Sequence, residues 1–185
     1  MSDIFDGIEE LFIERYKDWD GAAQFEGSGE RLRRLIDEMC WTRDSIDGEV
    51  ENCFKAVFPD KYDEMLVCKP ISLWTLCPHH LLPVGFKVNI GYIPTGGVLG
   101  LSKFARIAII MGRVPIIQEQ YTRDLADILW DRLKPEGLGV YVVGSHGCIG
   151  CRGVNQDIDI VTSTLKGSFK EDPVVREEFY AICRG

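Results

Sequence analysis

Two of the three histidines in the chain stand side by side in Cys77-Pro78-His79-His80, and the third, His146, stands two residues before Cys148. Thiolate and imidazole are the usual protein ligands of zinc, and a Cys-x-x-His spacing lets one turn of chain present both to one ion. Cys77 and His80 have that spacing, with His79 between them pointing elsewhere. Two ligands hold zinc only weakly, so a third has to come from far along the chain. His146-Gly147-Cys148-Ile149-Gly150-Cys151 offers His146, Cys148 and Cys151. Three protein ligands leave the fourth position of tetrahedral zinc to water, whose pKa the metal lowers to about 7, so hydroxide is at hand at neutral pH. Four protein ligands, with Cys151 added to Cys77, His80 and Cys148, would instead tie two strands together and do no chemistry. A thioredoxin-like reading of Cys148-x-x-Cys151 lacks the following helical pattern that lowers a thiolate pKa.

The elements that must position these residues fall into two parts. Ile4, Ile8, Leu11 and Phe12 recur at helical spacing in the first twenty residues, and Glu26-Gly27-Ser28-Gly29 reads as a loop. Leu32, Leu35, Ile36 and Met39 mark a second helix. Ile46, Val50, Phe54 and Val57 mark a third, with Asp44 or Ser45 as its N-cap. This helical segment covers residues 1–60, and a second domain covers 61–185. There the strands begin: Met65 to Cys68, continued beyond Pro70 by Ile71 to Leu76, and then Phe86, Val88, Ile90 and Tyr92 alternating with Lys87, Asn89 and Gly91. A helix capped by Ser102 runs to about Met111, and a longer one carries Tyr121, Leu125, Ile128 and Leu129. Strands follow at Leu138 to Val143 and around Ile158, Ile160 and Thr162, then a last helix opened by Asp172-Pro173. Strand pairs on either side of two helices suit an antiparallel sheet with helices on one face, an α+β arrangement.

Composition narrows the partners. The 185 residues are 45% hydrophobic and 27% charged, which is ordinary for a globular protein with a sizeable core. A net charge of −8 argues against bulk binding to nucleic acid or anionic lipid, while leaving room for a local cationic pocket. No apolar run approaches the ~18 residues of a membrane span. The acidic start, Met1 to Asp6, lacks the basic region of a signal peptide, so a cytoplasmic protein is expected. Seven cysteines, an odd number without scaffold spacing, suit free thiols in a reducing compartment.

Six motifs in register, over roughly residues 28 to 180, resemble the GTP cyclohydrolase I family. They are Cys77-Pro78-His79-His80-Leu81-Leu82-Pro83, Gly91-Tyr92-Ile93-Pro94, Gly100-Leu101-Ser102-Lys103-Phe104-Ala105-Arg106, Gln118-Glu119-Gln120-Tyr121-Thr122, Ser145-His146-Gly147-Cys148 and Arg152-Gly153-Val154. Ser28-Gly29-Glu30-Arg31-Leu32 is similar to the family's Thr-Pro-x-Arg segment. The resemblance implies a tunnelling fold, assembled as a homo-oligomer, a decamer of two pentamers, with active sites between subunits. It implies zinc on Cys77, His80 and Cys148, and it makes His79 and His146 the proton-transfer pair. Cys151 then becomes a packing thiol.

The implied reaction is hydrolysis of GTP at C8, with release of formate and formation of 7,8-dihydroneopterin triphosphate, for folate-type or deazapurine biosynthesis. Gln118 and Glu119 are then substrate-binding. The Glu119 carboxylate can accept from both N1–H and the exocyclic amine of guanine, although by itself it also reads as a first-turn helix carboxylate. Lys103 and Arg106, at i and i+3, face one anion near a helix N-terminus. Arg152, Arg31 and Arg34 add cations for the triphosphate, and Ser102 serves the later ring closure. Pro78 stands where the family carries a glutamate, which removes a carboxylate and an N–H. Two other readings keep the zinc: a paralogue acting on a 7-deazaguanine, such as a 7-carboxy-7-deazaguanine decarboxylase, for which the cations would be superfluous, and a non-catalytic zinc-stabilised assembly module.

Overall fold

Helix-period segments and period-2 segments alternate along the chain, and the computed structural model, which describes residues 3–185, resolves them into two compact units dividing at Trp41/Thr42. In the first unit, α1 (Ile4–Arg15) starts at Asp3, whose carboxylate accepts from the Phe5 N–H at 3.2 Å. A 3-10 turn (Ala22–Phe25) follows, and Phe25 packs on Phe12 and Tyr16 with ring centroids 5.5 and 5.4 Å apart. The expected loop at residues 26–29 is shorter than the glycines suggest, because α2 (Ser28–Met39) already includes Ser28 and Gly29. The reason is remote in sequence. The Glu9 carboxylate accepts from the N–H groups of Gly29 and Gly27 at 2.8 and 2.9 Å, meeting donors that a helix start leaves unpaired. Those two bonds hold the Glu9 carboxyl below its usual range.

The second unit opens with α3 (Arg43–Cys53). Its N-cap is Thr42, whose hydroxyl accepts from the Ser45 N–H at 3.3 Å, rather than Asp44 or Ser45. Ile46, Val50 and Cys53 face inward, as the period requires. Val57 leaves the helix and forms β1 (Val57–Phe58). Two long strands follow, β2 (Leu66–Leu76) and β3 (Pro83–Ile93), then β4 (Val98–Leu99), which pairs with β1. Next come α4 (Leu101–Met111), α5 (Gln118–Leu133), β5 (Gly137–His146), α6 (Gly147–Gly150), β6 (Asp159–Gly167), α7 (Ser168–Glu171) and α8 (Pro173–Arg184). α8 starts as expected, with Asp172 accepting from the Val174 N–H at 2.8 Å and proline in the first turn. α4 does not: its cap is Gly100, and Ser102 lies inside the helix.

The antiparallel sheet has the order β2-β3-β5-β6, which makes this an α+β fold. β2 passes Pro70 through a register shift between Cys68 and Ile71, where an edge strand tolerates a residue that cannot donate. Val84, Phe86, Val88, Ile90 and Tyr92 are all buried on one face of β3. α4 and α5 cover that face: Phe104 meets Tyr92, and Tyr121 meets Phe86, each pair with ring centroids 5.0 Å apart. On the opposite face Phe169 and Phe179, with Ile93, close one end. Trp74, 64% exposed, marks the open remainder.

Candidate metal centre

The β2–β3 connection is a six-residue loop whose backbone locks on itself. The Cys77 N–H donates to the Leu82 carbonyl at 2.9 Å, and the Leu81 N–H donates to the Cys77 carbonyl at 2.8 Å. Leu81 takes the left-handed conformation at φ 53° to allow this closure. Cys77 ends buried while His79 and His80 stay exposed. The Sγ of Cys77 lies 3.6 Å from Nδ1 of His80. Zinc–sulfur and zinc–nitrogen bonds of about 2.3 and 2.0–2.1 Å at a tetrahedral angle require a separation of about 3.6 Å. The hairpin loop alone therefore meets two corners of a zinc tetrahedron.

The third corner comes from the end of β5. His146 pairs with Val84 across the sheet, so the residues after it emerge beside the hairpin loop. Gly147 makes the approach possible: a Cβ there would stand 2.8 Å from the Pro83 carbonyl oxygen. Cys148 follows, and one ligand atom from each of Cys77, His80 and Cys148 falls within 4.8 Å of the others. Two thiols and an imidazole at this spacing fit zinc. Spacing alone left His146, Cys148 and Cys151 open as third ligand, and of these only Cys148 belongs to the cluster among the described residues. Cys151 is exposed at the end of α6 rather than packed. Burial and the neighbouring Cys77 thiol push Cys148 up from the ordinary cysteine range, and Arg152 pulls the other way.

His146 is not part of the trio. Its Nε2 is 2.8 Å from Oε1 of Gln118, the first residue of α5, and Phe86 meets its ring edge-on at 6.2 Å. Burial lowers its pKa, and the nearby Glu119 carboxylate opposes that. Glu119, in the first turn of α5, is exposed, whereas Gln118 is 1% exposed with its amide engaged inside the protein. The second imidazole of the hairpin, His79, has Nδ1 3.8 Å from Cys77 Sγ. One end of the sheet thus gathers His79, His146, Glu119, Arg152 and the metal ligands.

The remaining site residues are elsewhere. Lys103 and Arg106 lie in the first half of α4, close enough to Cys53 to bear on its thiol. Phe104, between them, packs on Tyr92, eight residues along β3 from Val84, which at strand rise is about 26 Å. Ser102 shares that distant end. Arg31 and Arg34 belong to the first unit and are engaged locally: Arg31 donates to the Glu26 carbonyl at 3.0 Å, and Arg34 pairs with Glu30 at 2.9 Å. Residues that sequence reasoning passed over also matter here. Gly144, Thr122 and Thr162 surround Gln118, and only the i, i+4 spacing of Gln118 and Thr122 on one helix hinted at it.

The fold and the site define an antiparallel α+β protein with a Cys-His-Cys trio at one end of its sheet that could hold a metal ion. A family model described as GTP cyclohydrolase I matches residues 10–184, and the chain belongs to that family. It is 45% identical over 130 residues to GTP cyclohydrolase 1 of Homo sapiens, covering 70% of this chain and 52% of that one. It is 43% identical over 163 residues to GTP cyclohydrolase 1 of Synechococcus sp. (strain JA-3-3Ab), covering 87% of this chain and 71% of the relative. The chain spans about half the length of the animal relatives it matches, 52%, 54% and 46% for the human, rat and fruit-fly proteins. Among solved structures, an archaeosine synthase QueF-Like in its apo form aligns with a TM-score of 0.42 at 20% identity, over 54% of this chain and 92% of that one.

Proposed function

We propose that this protein is a zinc-dependent GTP cyclohydrolase I, which opens the imidazole ring of GTP at C8, releases formate and yields 7,8-dihydroneopterin triphosphate. The observation that carries this reading is the meeting of Cys77, His80 and Cys148 within 4.8 Å at the sheet end that also holds His146 and Glu119. Zinc, when held by Cys77, His80 and Cys148, supplies a water activated for attack at neutral pH. Glu119 reads the guanine edge, its two oxygens accepting from N1–H and the exocyclic amine. His146 and His79 are the proton-transfer pair that serves N7 as the ring opens. Arg152 binds phosphate at this end of the sheet.

Lys103 and Arg106 also serve the triphosphate, and Ser102 the closure of the dihydropterin ring, but they lie in the half of α4 that starts at the end of β3 remote from the metal cluster. A second copy therefore brings its own Ser102, Lys103 and Arg106 to this copy's zinc. Arg31 and Arg34 of the helical unit add further cations. The sheet ends in two open edges, β2 and β6, and pairing such edges between copies closes a ring and removes them. A decamer of two pentamers is the assembly this reading takes. No helix among the described residues is long and apolar enough to cross a membrane. Glu119→Ala tests the assignment: turnover of GTP should fall more than turnover of inosine triphosphate, a substrate that keeps N1–H but lacks the exocyclic amine, and an unchanged turnover of both would remove Glu119 from base recognition.

A further inference from the structure

Gln118 starts and ends a closed ring of hydrogen bonds. Its Nε2 donates to Thr162 Oγ1 at 3.1 Å, and the Thr122 hydroxyl donates to the Gln118 carbonyl at 2.8 Å. The two threonine oxygens are 2.6 Å apart. Because the Thr122 proton is already given to the Gln118 carbonyl, the proton between the threonines comes from Thr162. Each hydroxyl in the ring therefore has one direction. The same Nε2 lies 2.9 Å from the Ile160 carbonyl and 3.2 Å from that of Val142, groups that can only accept. Turning the amide over would set its oxygen against two carbonyls, so its orientation is fixed, with Oε1 facing His146.

That orientation decides the state of the histidine. Oε1 can only accept, so the Nε2 of His146, 2.8 Å away, must carry a hydrogen, and the neutral ring keeps its lone pair on Nδ1. The path of the amide across β5 depends on Gly144: a Cβ there would fall 2.1 Å from Gln118 Oε1 and 3.0 Å from His146 Nε2. Phe86 holds the ring from the β3 side. With Gln118 and Thr122 each 1% exposed, water has little access to compete.

We propose that Gln118, held by the Ile160 and Val142 carbonyls with Thr162 and Thr122 beside them and admitted by Gly144, is a positioning residue that fixes His146 as its Nε2–H tautomer and presents Nδ1 for proton exchange. The function of that exchange rests on the reaction proposed above; the hydrogen-bond assignment does not.

The test uses zinc-loaded protein labelled with 15N-histidine and magic-angle-spinning NMR, which tolerates a large assembly. Only three histidines contribute, and a His146→Gln spectrum identifies the signals of His146. The expected result is a pyrrole-type Nε2 and a pyridine-type Nδ1. Gln118→Leu removes the acceptor, so a second tautomer should appear and kcat should fall roughly tenfold with KM for GTP little changed. Thr162→Val leaves the Ile160 and Val142 carbonyls that hold the amide, so it should keep the Nε2–H tautomer of the unaltered protein. An Nδ1–H tautomer in the unaltered protein, or an unchanged tautomer in Gln118→Leu, would overturn the inference. The spectra require no turnover, so a protein that holds the Nε2–H tautomer but releases no formate contradicts the proposed reaction and leaves the clamp standing.

Discussion

Phe104 packs on Tyr92 with ring centroids 5.0 Å apart, and this contact fixes the head of α4 at the end of β3 remote from His146. The polar residues on either side of Phe104 are those assigned to the triphosphate and the ring closure. The proposed reaction then needs a site completed by a second copy, which can be tested by mixing. His146→Ala and Arg106→Ala proteins should each lose most GTP turnover. When the two are dissociated and reassembled together, sites with an intact histidine from one copy and an intact arginine from another should restore part of it. Mixtures as inactive as either parent would show that both groups serve one copy's site.

The metal cluster makes a different demand on each cysteine. Cys77→Ser and Cys148→Ser should lose zinc on dialysis, measured by elemental analysis, because removing a ligand breaks the three-point site. Cys151→Ser should keep a full complement, since Cys151 lies outside the cluster. Zinc loss from Cys151→Ser would revive the closed four-ligand site.

Stability should respond most at the junction of the sheet with α5. Phe86 and Tyr121 are buried against each other, and the Tyr121 hydroxyl donates to the Ala108 carbonyl at 2.8 Å. Phe86→Ala should cost about 3–5 kcal/mol in urea unfolding. Tyr121→Phe should cost about 1 kcal/mol, the net worth of a buried hydrogen bond. A larger loss for Tyr121→Phe than for Phe86→Ala would contradict this packing.

Cys183 provides a pH signature away from the site. Burial pushes its thiol from 9.0 up to about 11, against the pull of Lys69 and Arg184. Below pH 9.0 the thiol is protonated folded or unfolded, and its contribution to stability is complete. As pH rises through the window to about 11, the unfolded chain ionises first, so that contribution is lost. Replacing Cys183 with serine should flatten the fall in melting temperature over this window. At about pH 8 iodoacetamide should label exposed Cys151 well before Cys183, and the reverse order would contradict the burial of Cys183.

Much of this architecture was legible where periodicity and turn chemistry agree. The alternation from Phe86 to Tyr92 gave the central strand, and Asp172-Pro173 gave the start of α8. Pairing of Cys77 with His80 could be read from spacing, because one short loop supplies both. The helix starts were harder. Gly29 joins α2 because Glu9, twenty residues earlier, satisfies its N–H, and α4 starts without any side-chain cap. Tertiary contact decides such positions. The resemblance named Cys148 as third ligand, but spacing could not, since its choice depends on Gly147 pressing against Pro83 across two strands. The clamp on His146 was hidden for the same reason: Thr162 and Thr122 come from β6 and α5, and nothing local links them.

The central claim is that a chain built this way opens the purine ring of GTP, and formate release tests it most directly. Zinc-loaded protein incubated with GTP should release one formate for each GTP consumed and leave a triphosphate product that becomes a fluorescent pterin on oxidation, while Cys148→Ser protein should release none. Zinc-loaded, assembled protein that consumes no GTP and releases no formate would contradict it.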